Sequence, residues 1–183
     1  MSRQVARGIE SVDGASAVLR TVPPVSTVCE ATEPGVPASG SPYAALSDLE
    51  QADGLILGSP THFGNMSASL KHFIDQTTSI WFSGALQGKP AAVFTSTGSL
   101  HGGQESTLLS MMTPLFHHGM LMVGLPYSDS RLMQTTRGGT PYGASHVSGA
   151  EGADPVDDNE AALCRLLGQR VAGLALTLAN TSH

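Results

Sequence analysis

Apolar residues fall along this chain in two kinds of pattern. Short runs without polar alternation, within Gly54 to Gly58, Pro90 to Thr95 and Met120 to Val123, predict strands buried on both faces, as in the middle of a parallel sheet. Ala17 to Val22 predicts a further short strand, ended by Pro23-Pro24. Elsewhere apolar positions recur at helical spacing. Val5, Ile9 and Val12 mark a helix over residues 1 to 13, stopped by Asp13-Gly14, and Leu70, Phe73 and Ile74 mark one over Met66 to Gln76. Leu108, Met111, Met112 and Leu115 stripe a helix from Glu105 to His118, in which Pro114 predicts a kink or an early end. Leu163, Leu166, Leu167, Val171, Leu174 and Leu178 line the last helix, Asn159 to Ala179. Ser47 to Ala52 reads as a short helical turn opened by a capping box of Ser47 and Glu50.

Helices and strands therefore alternate, with four strands placed. That order predicts a three-layer α/β/α sandwich with a parallel sheet and right-handed crossovers. Two stretches lack periodicity: residues 23 to about 45, rich in Pro, Gly, Ser and Thr, and Pro126 to Asp158, which reads as a long insertion. Residues 77 to 89 hold the only tryptophan, Trp81, between helix and strand.

The chain is organised around Asp53 to Asn65, DGLILGSPTHFGN, a buried strand that releases into a loop of small, polar and aromatic residues. In open parallel sheets ligands bind at the carboxyl ends of strands. The next buried strand also ends in a small-residue loop, Ser96 to Gln104. Residues without bulky side chains let the backbone approach a flat ligand, and uncrowded amides can donate to ring oxygens and nitrogens. Either loop alone is also what an ordinary turn looks like; two at successive strand ends point to a site, and a flavin ring has these requirements.

Composition narrows the class. The 183 residues suffice for one domain, with no internal repeat. A net charge of −6 argues against non-specific nucleic-acid binding, and no run of about 18 apolar residues predicts a membrane span. The N-terminus has no secretory apolar stretch, and Cys29 and Cys164 form no CxxC pair, so a reducing cytoplasm is the expected setting. None of the seven histidines has HxxxH or HExxH spacing, so no metal site is expected. His101-Gly102-Gly103 could serve as an oxyanion loop, but a hydrolase lacks its G-x-S-x-G elbow here.

GSPTHFGNMS (58 to 67), SIWFSGAL (79 to 86), GKPAAVFTSTGS (88 to 99), HGGQES (101 to 106), HHGM (117 to 120) and RGGTPYGAS (137 to 145) together resemble the WrbA family of flavodoxin-like, FMN-dependent NAD(P)H:quinone oxidoreductases. The resemblance extends from about Met1 to the last helix. It implies that Thr61, His62, Phe63, Gly64 and Asn65 border the flavin ring. Ser96, Thr97, Gly98, Ser99, Leu100, His101, Gly102 and Gly103 would border its pyrimidine side and ribityl chain. Trp81 matches the aromatic over the open ring face where nicotinamide and quinone stack in turn, and His118 matches a histidine near the ring. Read from the residues alone, the alternative for Trp81 is a core or interface aromatic, and for His118 a structural histidine.

The implied chemistry is two-electron, ping-pong hydride transfer from NADH or NADPH through FMN to a quinone, in a homotetramer or homodimer whose active site lies between subunits. The flavin carries that chemistry, so no catalytic side chain is required. Two departures stand out. His62 occupies a position where the family has arginine. The family's first strand and phosphate loop, which precede its first helix, are not in this sequence, and the expectation is that the chain in this form holds FMN poorly. The alternative function is a non-catalytic or cofactor-poor flavodoxin-like electron carrier or scaffold.

Overall fold

In this computed structural model, residues 1–25 and 37–181 are described. Their centre is β2 (Pro90–Thr97), an eight-residue strand with Ala91, Ala92 and Val93 fully buried. β1 (Leu55–Pro60) runs parallel to it, in register from Leu55 opposite Ala91 to Pro60 opposite Ser96. The other edge of β2 is shared. β3 (Leu121–Met122) pairs with Pro90 and Ala91 near its start, and β4 (Ala144–Val147) pairs with Phe94 to Thr97 at its end, both parallel.

Alternation along β2 divides the core into two layers. Ala91 and Val93 face α5 (Gln104–His117), packing with Leu108, Met111 and Leu115. Ala92 faces the opposite way, toward α1 (Ser2–Glu10) and α7 (Asp158–Thr181), among Val5, Leu163, Leu167 and Val171. By length and composition α7 could cross a membrane. Here Leu163, Cys164 and Leu167 are fully buried against the sheet and α1, and burial pushes the Cys164 thiol pKa up to about 12.

The smaller elements depart from the sequence reading in ways the packing explains. α2 (Leu46–Gln51) is capped two residues before the expected Ser47, by Ala45, whose N–H is taken by the Asp48 carboxylate at 2.8 Å. α3 (Ala68–Asp75) is capped by Ser67, whose hydroxyl accepts from Leu70 N–H. α4 (Thr78–Ser83), given no element in advance, buries Ile80. Pro114 neither kinks α5 to a stop nor ends it early, since the helix runs on to His117. The stretch read as an insertion, 126–158, contains α6 (Ser130–Gln134) and β4, so part of it belongs to the sheet.

Ala17 to Val22 joins no sheet among the described residues. Its one bridge joins Thr21 to Tyr43, and Arg20 makes two 2.9 Å bonds to the Asp48 carboxylate, holding that carboxyl below its ordinary pKa. A strand exists only where a neighbour lies about 4.8 Å away to take its hydrogen bonds. Between this segment and β1 lies a cleft of about 930 Å³, lined by Val18, Leu55, Ile56, Phe73, Phe94 and Val171. Among the described residues β1 pairs with β2 alone. Cys29 and part of the expected loop from 23 to 45 lie outside the described residues.

Candidate functional site

β1 and β2 release the chain side by side, and Thr61 N–H still bonds Ser96 O at 2.9 Å. The first loop then closes at once. His62 N–H donates to Asn65 O at 2.8 Å and Asn65 N–H to His62 O at 3.0 Å, with Phe63 (φ 52) and Gly64 (φ 76) both left-handed between them. That is the geometry of a two-residue type I′ turn. It is rare for an aromatic residue, and it leaves Phe63 with 108% relative exposure. Beneath the turn, the Thr61 hydroxyl lies 3.2 Å from Thr95 Oγ1 and 3.0 Å from Thr107 Oγ1. Asn65 Oδ1 accepts from Met66 N–H and from the Ser110 hydroxyl, which fixes the loop to α5.

The second loop, 98–103, is held the same way. Gly102 N–H bonds Ser99 O at 3.0 Å, the Thr97 hydroxyl bonds Ser99 O at 2.8 Å, and the Gln104 amide bonds Leu100 O at 3.2 Å. Gly103 is the N-cap of α5 with φ 96, and a Cβ there would stand 2.9 Å from Gly64 Cα. The two loops therefore touch, backbone to backbone.

A third loop, 148–154, completes the rim. Ser148 donates to Thr97 O through its N–H at 2.8 Å and its hydroxyl at 3.0 Å, and Asp154 N–H closes the loop on Ser148 O at 2.9 Å. Behind it lies a buried ionic cluster that the sequence reading missed. Glu160 is fully buried and His146 6% exposed. Glu160 accepts from Gly138 N–H (3.1 Å), Val147 N–H (3.0 Å) and Asp157 N–H (3.0 Å), and its Oε2 lies 2.8 Å from His146 Nδ1. His146 Nε2 donates to Asp154 O at 3.1 Å, and Arg137 bonds Val147 O and the Asp154 carboxylate. The readable signal was the capping box Asp157-Asp158-Asn159-Glu160 at the start of α7, in which Asp157 Oδ1 accepts from Glu160 N–H at 2.8 Å.

Thr61 to Asn65 and Ser96 to Gly103 are thus brought together at one carboxyl edge, with the Thr97 side chain buried and His62, Phe63, Gly98, Ser99, Leu100, His101 and Gly102 exposed. Trp81 and His118 are not part of that group within one chain. Trp81 donates its indole N–H to His117 O at 2.8 Å, and Gly88 N–H bonds Gly119 O at 2.9 Å, so both residues sit where the chain enters β2 and β3. α5 separates the two ends: its 14 residues span about 21 Å. His118 bonds Thr77 Oγ1 through Nε2 at 2.9 Å while its Nδ1 has no partner, and desolvation, reinforced by His117, lowers its pKa.

The three loops offer free backbone groups, two exposed apolar side chains (Phe63 and Leu100) and no lysine or arginine. This donor set fits a neutral, flat heteroaromatic ring with a polar edge. Among the described residues no group of three His, Cys, Asp or Glu side chains could hold a metal ion.

Residues 2–129 match the family model described as NADPH-dependent FMN reductase. An NAD(P)H dehydrogenase (quinone) of Syntrophobacter fumaroxidans is 45% identical, over 97% of this chain and 91% of that protein. One of Trichlorobacter lovleyi is 42% identical over the same shares. Among solved structures, a flavodoxin, WrbA-like protein from Agrobacterium tumefaciens matches with a TM-score of 0.61 and 24% identity, covering 96% of this chain and 87% of that one. That likeness shows the fold to be flavodoxin-like.

Proposed function

The chain belongs to the NADPH-dependent FMN reductase family, and from that premise we propose that it is an FMN-dependent NAD(P)H:quinone oxidoreductase. The observation that carries this reading is the contact of the two loops at adjacent strand ends, where left-handed Gly64 and Gly103 bring backbone against backbone. FMN, when bound, supplies two-electron hydride chemistry between NAD(P)H and a quinone. The protein's part is to seat the ring. The threonine cluster of Thr61, Thr95 and Thr107 and the Asn65–Ser110 bond fix the first loop, so amides need no rearrangement on binding. Phe63 and Leu100 shield the ring from water. Backbone groups of Gly98 to Gly103 meet its polar edge.

A cytoplasmic location, where NAD(P)H is available, accords with this reading.

Trp81 enters through a second copy. Leu109 and Phe116, seven residues apart, share an exposed face of α5; Phe63 lies toward one end of it and Trp81 and Phe82 at the other. In an isologous pair each contact occurs twice, so the Trp81 end of one copy can cover the Phe63 end of the next. A homodimer or homotetramer built on this face would place Trp81 of the partner subunit over the ring.

The test is reduction of benzoquinone by NADH and by NADPH with FMN titrated in, alongside quenching of flavin fluorescence. Turnover that rises with FMN occupancy is expected. FMN binding without quinone reduction would make the chain an electron carrier, and no binding at saturating FMN would make it a scaffold.

A further inference from the structure

We infer that His146 is a positioning residue for this site, an inference that rests on the reading of the loops as a flavin seat. Its ring hydrogen-bonds both of two bodies that Arg137 spans only as ion pairs, 3.0 Å from the Asp154 carboxylate and 4.0 Å from Glu160 Oε1. Nδ1 meets the fully buried Glu160 carboxylate, which is anchored at the start of α7 by its capping box with Asp157. Nε2 meets the carbonyl of Asp154, the closing residue of the third loop. A carbonyl can only accept, so Nε2 carries a proton and donates. The loop behind that bond is otherwise thinly held: Gly152 N–H to Gly149 O, Asp154 N–H to Ser148 O, and a half-exposed ion pair between Arg137 and the Asp154 carboxylate.

The loop reaches the flavin seat at one place. Ser148 bonds Thr97 O twice, and Gly149 O lies 3.5 Å from where a Cβ on Gly98 would stand. Gly98 opens the second loop, so a shift of the third loop is passed directly to the backbone that meets the ring edge. His146 thus sets the position of Gly98 from the far side of the strand end, without touching the ligand itself.

Two near-isosteric substitutions separate the two bonds. His146→Gln places an amide donor where Nε2 was and keeps the link to Asp154 O. His146→Asn places one where Nδ1 was and keeps only the link to Glu160. Amide hydrogen exchange, read by mass spectrometry on peptides covering 98–103 and 148–154, and the FMN dissociation constant are measured for wild type and both variants. For His146→Asn, exchange in both peptides is expected to speed up about tenfold and the FMN dissociation constant to rise about fivefold. His146→Gln is expected to stay within about twofold of wild type. Both variants behaving alike, or exchange rising in 148–154 while 98–103 and FMN binding stay at wild-type values, would overturn the proposal and leave His146 a structural residue. If wild type binds no FMN yet the exchange pattern appears, the positioning of the second loop is supported and the flavin reading fails.

Discussion

Gly103 is the most constrained position in the proposed flavin seat. It needs a left-handed backbone (φ 96), and the space a Cβ would take is 2.9 Å from a backbone atom, Gly64 Cα, which cannot swing aside as a side chain would. Gly103→Ala is therefore expected to cost about 1 to 3 kcal/mol in urea denaturation and to weaken FMN binding, because the strain is relieved only by parting the two loops. An alanine variant of wild-type stability would show that the loops do not meet as described. His118 makes a prediction about pH. Its folded pKa is lowered by desolvation and by His117, so the unfolded chain takes up the proton more readily than the folded one. The neutral ring is accommodated above the unfolded value of about 6.5; as pH falls through that value, protonation favours unfolding and stability drops. His118→Gln removes this contribution, so its melting temperature should fall less than that of wild type between pH 7.5 and 5.5. Parallel falls would refute the assignment.

β1, β2, α5 and α7 were legible in the sequence because their cores are dense in aliphatic residues and the pattern of burial repeats the pattern of hydropathy. β4 was not, because its sequence is ASHV: Ser145 and His146 are buried on a strand that pairs with β2 alone among the described residues, satisfied by Gln104 and Glu160, which hydropathy cannot foresee. Ala17 to Val22 failed for the opposite reason, since its residues favour a strand but a strand is made by its neighbour. The two ring loops were legible as small-residue strand ends. That Trp81 and His118 lie at the other edge was not, since motif resemblance carries no distances. The start of α7 gives a prediction of its own. Glu160 collects three backbone N–H groups and the His146 ring at zero exposure, so Glu160→Ala leaves four donors stranded. Breaking a buried pair from one side costs about 3 to 5 kcal/mol, a large share of the roughly 5 to 15 kcal/mol that holds a domain folded. Urea denaturation should show a loss of that size together with looser protection of 137–147. A loss under about 1 kcal/mol would mean that the carboxylate is solvated in solution.

The exposed face of α5 joins the two edges of the sheet, and this makes oligomerisation part of the catalytic argument. Trp81 (48% exposed), Phe82, Leu109 and Phe116 leave apolar side chains in solvent, and the Trp81 and Phe82 rings meet at a tilt of 57° with centroids 4.7 Å apart. Exposed apolar surface of this kind marks protein interfaces, and buried aromatics carry most of an interface's energy. Phe116→Glu puts a charge among these side chains without touching the loops that seat the ring. Light scattering should then show wild type as a dimer or tetramer and the variant as a monomer. Quinone reduction at saturating FMN should fall about tenfold or more, because on the proposed arrangement Trp81 of a second copy would no longer cover the ring face where the second substrate stacks, whereas flavin fluorescence should still be quenched by the intact loops. A variant that stays oligomeric would move the interface elsewhere. A monomer with wild-type turnover would return Trp81 to a purely structural role and confine the active site to a single chain.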